Sequence, residues 1–175
     1  MKKLLLIAFL TIGAISSYGK DKGPKIDVNN DTVTVDGKNV FILETVKAGM
    51  GIRNFFIENL AGKKLAFLKF ESYKDPKEVS SANPNGNVNY FHITFLESKQ
   101  TAEIRYYVKQ NKLAEFLLEQ KLVQDGIITE EAEQEFILIN GNSYSMKRNE
   151  LGGNGTIIIN NNTTPKNGVN FNIGH

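Results

Sequence analysis

Residues 88–109 constrain this chain more than any other stretch, because apolar side chains recur there at every second position on both sides of a short polar break. Phe91, Ile93 and Phe95 precede Ser98-Lys99, and Ala102, Ile104, Tyr106 and Val108 follow it. A period of two belongs to a β-strand, so the stretch predicts an antiparallel hairpin with strands at 88–97 and 100–109 and one face turned to a core. The other face collects Tyr90, His92, Thr94, Glu103, Arg105 and Tyr107. With Ser98-Lys99 as a two-residue turn, Tyr90 lies opposite Tyr107, His92 opposite Arg105 and Thr94 opposite Glu103.

Two further hairpins precede it. Thr32-Val33-Thr34-Val35 leads into Asp36-Gly37 and a second run at 38–44. Asp-Gly tolerates positive φ at both turn positions, so this pair predicts a two-residue loop that sets Val33 opposite Val40. A second pair runs from 53 to 60, turns at Ala61-Gly62 and returns along 63–73. Phe55, Phe56, Ile57, Leu65, Phe67, Leu68 and Phe70 place apolar groups on both of its faces, which predicts cover on both. Residues 74–87, with Pro76, Pro84 and Gly86, read as a mobile loop.

The period then changes to that of a helix. Residues 112–124 space Leu113, Phe116, Leu117, Leu118, Leu122 and Val123 along one side, with Gly126 as a stop. A second helix starts at Thr129 as N-cap, carries Glu130 and Glu131 in its first turn, buries Ala132, Phe136 and Ile139, and ends at Gly141. The expected fold is therefore α+β, an antiparallel β-meander of about six strands followed by two helices packing on one face. Residues 20–141 form this domain, and the Asn/Gly-rich residues 142–175 are expected to be a partly disordered tail, with 157–159 as a further strand.

The first nineteen residues have the layout of a signal peptide. Lys2 and Lys3 precede twelve largely apolar residues at 4–15, and small residues at Ser17 and Gly19 suit cleavage between Gly19 and Lys20. Twelve residues of helix reach about 18 Å, short of a hydrocarbon core about 30 Å thick, so no permanent membrane span is expected. Removing Lys2 and Lys3 leaves the basic residues equal in number to the 19 acidic ones. No Lys/Arg block follows a backbone of phosphates, so nucleic acid is not an expected partner.

The side chains present exclude several chemistries. With no cysteine there is no disulfide scaffold, thiolate zinc site, cysteine nucleophile or lipid-anchored N-terminus, and two histidines, His92 and His175, leave little for a metal. Asp27-x-Asn29-x-Asp31 opens like a calcium loop, but Thr32 and Lys38 stand where its glycine and bidentate glutamate belong, so a strand-entry turn is expected. The glycines at 152–155 lack the lysine and the helix of a phosphate loop. No serine-nucleophile motif occurs in the mature chain, and the four acids at 130–135 would repel the phosphates that a helix-turn-helix approaches. No catalytic residue, metal or cofactor is therefore assigned.

Leu122-Val123-Gln124-Asp125-Gly126 followed by acids and by Phe136-Ile137-Leu138-Ile139-Asn140-Gly141 resembles the end of small secreted proteins of unassigned function in Bacteroidota-type genomes. The Val35-Asp36-Gly37-Lys38 and Asn59-Leu60-Ala61-Gly62-Lys63-Lys64 turns extend the resemblance over residues 31–144. It implies an exported, periplasmic or extracellular envelope protein and carries over no catalytic residue. The expected activity is that of a non-enzymatic binding or interaction module for an envelope protein or polymer. Tyr90, His92, Glu103, Arg105 and Tyr107 are its candidate site, since tyrosine and arginine dominate binding hot spots. The alternative is a hydrolase of envelope glycan or peptide polymers, with Glu103 or another carboxylate working beside His92.

Overall fold

The computed structural model describes residues 23–49 and 51–152. The leader at 1–19, the cleavage point and the candidate strand at 157–159 lie outside the described residues. Seven strands form one antiparallel sheet in sequence order: β1 (Ile26–Asn29), β2 (Thr32–Val35), β3 (Lys38–Lys47), β4 (Arg53–Glu58), β5 (Lys64–Lys74), β6 (Asn87–Phe95) and β7 (Thr101–Arg105). Helices α1 (Gln110–Glu119) and α2 (Glu130–Asn140) pack on one face, giving the α+β meander with two helices. A third helix, α3 (Ser143–Glu150), lies where a loose tail was expected.

The core follows from the period-two pattern. Val33, Phe41, Leu43, Phe55, Ile57, Leu68, Phe91, Ile93, Phe95 and Ile104 line one sheet face and meet Leu113, Leu117, Leu122, Val123 and Phe136 from the helical side. In addition α1 reaches across to β1, and α2 packs beside β7. Gln110 ties the first and last parts of the fold together. Its amide nitrogen donates to Asp31 Oδ1 at 2.9 Å and to the Leu43 carbonyl at 2.7 Å.

Several local expectations are corrected. The sheet has seven strands because β1 joins β2 through Asn30 and Asp31, both at positive φ (47° and 62°), which Asn and Asp tolerate. Val33 pairs with Phe41, not Val40, because a bulge between Val33 and Thr34 shifts the register set by the Asp36-Gly37 turn. On the second hairpin the face away from the core is only partly covered. Phe56 and Phe67 stack there with centroids 4.6 Å apart, and the Lys64 ammonium lies 3.7 Å above the Phe56 ring. The first helix runs Gln110–Glu119, two residues earlier than expected at its start and shorter at its end, while Leu122 and Val123 are buried from the turn after it. Thr129 caps α2 as expected, accepting from Ala132 N at 3.1 Å, and Gly141 closes it.

The segment between β5 and β6 is tied down by its own polar groups. Asp75 caps a single 3₁₀ turn at Pro76–Glu78, and Asn83 bonds through its side chain to Glu78 and Asn87. Gly86 is required there, because a Cβ on it would lie 2.4 Å from the Asp75 carbonyl oxygen.

Candidate functional site

The third hairpin turns through Leu96 to Gln100 rather than through two residues, so its register moves by two. Tyr90 pairs with Arg105, His92 with Glu103 and Thr94 with Thr101. Facial membership is kept as far as Arg105, where β7 ends. Beyond it the chain swings toward α1, so Tyr107 is buried against Phe116 with ring centroids 5.3 Å apart, and Val108 is exposed instead of facing the core.

The outer face of β5 to β7 is where α3 lies. None of the eight residues of α3 is buried, so polar groups and one aromatic pair define its docking. Tyr144 stacks nearly parallel on Tyr90 at 5.0 Å. The buried Glu103 carboxylate supplies the missing N-cap, its Oε2 accepting from both Tyr144 N and Ser145 N at 2.9 Å. Arg148 donates to Glu71 Oε2 at 2.8 Å and to the Tyr90 hydroxyl at 3.2 Å, and Lys147 pairs with Asp75 Oδ2 at 2.6 Å.

These contacts set the local charge states. Burial pushes the Glu71 carboxyl up, but hydrogen bonds from Tyr90, Lys69 and Arg148 and the Lys69 charge outweigh it and hold the group below its ordinary range. Burial, with the neighbouring Glu71 carboxylate, pushes the Tyr90 hydroxyl far above the ordinary tyrosine range. Farther along the same face, Lys64 bridges Glu44 at 3.0 Å and Glu58 at 3.6 Å. Burial and then the adjoining Glu44 raise the Glu58 carboxyl, while the Lys64 hydrogen bond chiefly lowers that of Glu44.

The five candidate residues thus separate into three settings. Tyr90 is fully enclosed under Tyr144. Glu103 is buried and committed to α3, with Oε1 3.5 Å from Nδ1 of the partly exposed His92. Arg105 and Tyr107 stand together at a cleft of about 460 Å³, the guanidinium 4.8 Å from the centre of the Tyr107 ring. The C-terminal ends of α1 and α2 form one wall through Phe116, Glu119, Ile139 and Asn140, and Tyr144 closes the far end. Arg105 is exposed and enters none of the ion pairs among the described residues.

A second cleft of about 530 Å³, which the residue pattern did not single out, lies between the β4–β5 and β6–β7 turns and the start of α2. Leu65, Leu96 and Ile128 contribute its apolar part, and Ser98 donates to the largely buried Glu133. The Asp27-x-Asn29-x-Asp31 group spans the end of β1 and the turn into β2. Both carboxylate oxygens of Asp31 are engaged, by Thr45 N, Thr45 Oγ1 and Gln110, and Asp27 Oδ2 pairs with Lys25. Among the described residues no helix is long and apolar enough to cross a membrane. Compared with known proteins, the chain matches no family model, no curated protein and no solved structure.

Proposed function

We propose that this chain is an exported protein of the periplasm or cell exterior, freed of its leader near Gly19 and Lys20, that acts as a non-enzymatic binding module for an envelope protein or polymer. Its binding site is the Arg105 cleft. The observation that carries this reading is the exposed Arg105 guanidinium, stacked on the buried Tyr107 at the mouth of a partly apolar cleft. A positioned arginine over an aromatic ring, with solvent still to be displaced, is the arrangement from which hot spots are made. Electrostatic repulsion does not oppose approach to an envelope surface, since the chain without its leader is formally neutral.

The test is capture of envelope glycan and envelope proteins by immobilised chain 20–175 beside Arg105→Ala. That side chain is exposed, so its removal leaves the fold intact. Retention by the first and at least tenfold weaker retention by the second supports the site. Equal retention removes the cleft from consideration. Fractionation with mass measurement of the N-terminus tests export, the expected product starting at Lys20.

One observation favours a second reading, a hydrolase of envelope polymers. The buried Glu103 faces His92 Nδ1, and Nε2 has no hydrogen-bond partner among the described residues, as a general base would need it. Glu103 would then orient His92 and would not itself be the acid. Turnover of envelope glycan or peptide that disappears in His92→Gln supports this reading, and turnover that persists excludes it.

A further inference from the structure

The cleft also contains an unpaired piece of sheet edge. In an antiparallel ladder each residue turns both backbone groups to the same side, and successive residues alternate. Phe95 N–H donates to the Gln100 carbonyl at 3.0 Å and Tyr106 N–H to the Asn89 carbonyl at 3.2 Å. Ala102 and Ile104, between those pairs, therefore face β6, and Thr101, Glu103 and Arg105 face outward. Glu103 N–H is met by the Gly141 carbonyl at 2.8 Å, which shows that another stretch of backbone fits along this edge. Arg105 N–H and C=O have no hydrogen-bond partner among the described residues, and Arg105 lines the cleft. The other sheet edge, β1, has α1 packed on it.

We propose that this edge takes an extended peptide segment of a partner protein, which adds beside β7 at Arg105 and carries an acidic residue there between two apolar ones. This rests on the binding-module reading above and names its ligand class. Main-chain groups recognise main chain, so the free N–H and C=O of Arg105 call for an extended polypeptide. The pleat sets the side-chain pattern. A residue directly opposite Arg105 shares its face, where an unpaired guanidinium favours a carboxylate. The residues before and after it point to the other face, toward Phe116 and the exposed Ile139 on the side where α1 and α2 pack. Glu119 and the C-terminal ends of α1 and α2 make that wall unfavourable for acids, which keeps the acid at the central position.

The probe is the capped pentapeptide acetyl-Thr-Val-Glu-Val-Thr-amide, titrated to millimolar concentration against the ¹⁵N-labelled protein. Two control peptides carry lysine or N-methylglutamate at the centre. The expected result is a shifted and more slowly exchanging Arg105 amide, at least tenfold weaker binding of the lysine peptide, and no binding of the N-methyl peptide. An unmoved Arg105 amide, or equal binding of the N-methyl peptide, overturns the proposal. So does a slowly exchanging Arg105 amide before any peptide is added, because the chain itself would then already pair this edge. Envelope glycan held through Arg105 with no peptide effect would sink the peptide assignment and leave the binding module standing. Peptide docking with no envelope component held through Arg105 would do the reverse.

Discussion

Replacing Glu103 by alanine isolates what holds α3 to the sheet. The helix starts at Ser143 with no side-chain cap of its own from Asn142, and two of its first three amides, Tyr144 N and Ser145 N, both end on Glu103 Oε2. A hydrogen bond to a charged group contributes about 1.5–3 kcal/mol, and the two bonds share one oxygen, so about 2 kcal/mol is the expected loss of docking free energy. At about 1.4 kcal/mol per decade this is about a thirtyfold increase in the open population of α3. Since α3 buries no residue, the increase is local. Native-state hydrogen exchange should show the Tyr144 and Ser145 amides accelerated by about that factor in Glu103→Ala, with α1 and α2 little changed. Glu103→Gln keeps one carbonyl oxygen and loses the charge, so its effect should be smaller. Unchanged exchange at Tyr144 and Ser145 in folded Glu103→Ala would refute the capping argument, as would equal acceleration throughout the sheet.

Acidification should act on the same helix through Glu71. Its folded pKa lies below the ordinary 4.5, so its contribution is present above that value and is lost as pH falls through the folded pKa. Protection of the α3 amides, meaning exchange relative to the intrinsic rate at each pH, should therefore fall as pH drops through the lowered Glu71 pKa, and Arg148→Ala should shrink that acid-side loss. Glu58 carries the opposite sign. Its raised pKa favours the protonated form in the fold, so stability falls as pH rises through that pKa, and Glu58→Gln should raise the melting temperature at neutral pH and leave it nearly unchanged in acid. Among the glycines, Gly86→Ala should cost more than Gly37→Ala in urea denaturation. Both sit at positive φ, which costs about 1–2 kcal/mol for an alanine, but only Gly86 also faces a backbone oxygen at 2.4 Å.

What was legible in the sequence is what the hydrophobic period encodes. Phe91, Ile93, Phe95, Ala102 and Ile104 read as one face and lie on one face, because a one-residue slip would expose all of them. The two-residue errors in pairing have a different origin. Moving a strand by two keeps every apolar group inside, so the pattern of 88–109 is silent about loop length, and only the backbone of Leu96 to Gln100 decides it. β1 was missed because it is only four residues long, with Ile26 and Val28 as its whole alternation, yet its turn was visible. Asn30-Asp31 between Val28 and Val33 is a pair able to hold positive φ, the same signal that marked Asp36-Gly37.

The candidate face shows why polar packing escapes this kind of reading. Ser143 to Glu150 has no apolar stripe, and what attaches it to the sheet is a carboxylate, a guanidinium, an ammonium and one ring stack, each from a partner 41 or more residues away for the first two. Such contacts have no period. The sign of them was Tyr90 and Glu103 themselves, a large ring and an acid side by side on the non-core face of the sheet, which either meet solvent or are covered. The structure covers those two and leaves Arg105 exposed, because β7 stops there while Gly141 has already taken the neighbouring backbone position at Glu103. A strand one pair longer, or a helix α2 ending one turn later, would close that gap. The cleft therefore follows from where β7 and α2 end, and the binding proposed for it rests on the backbone groups of Arg105 as much as on its guanidinium.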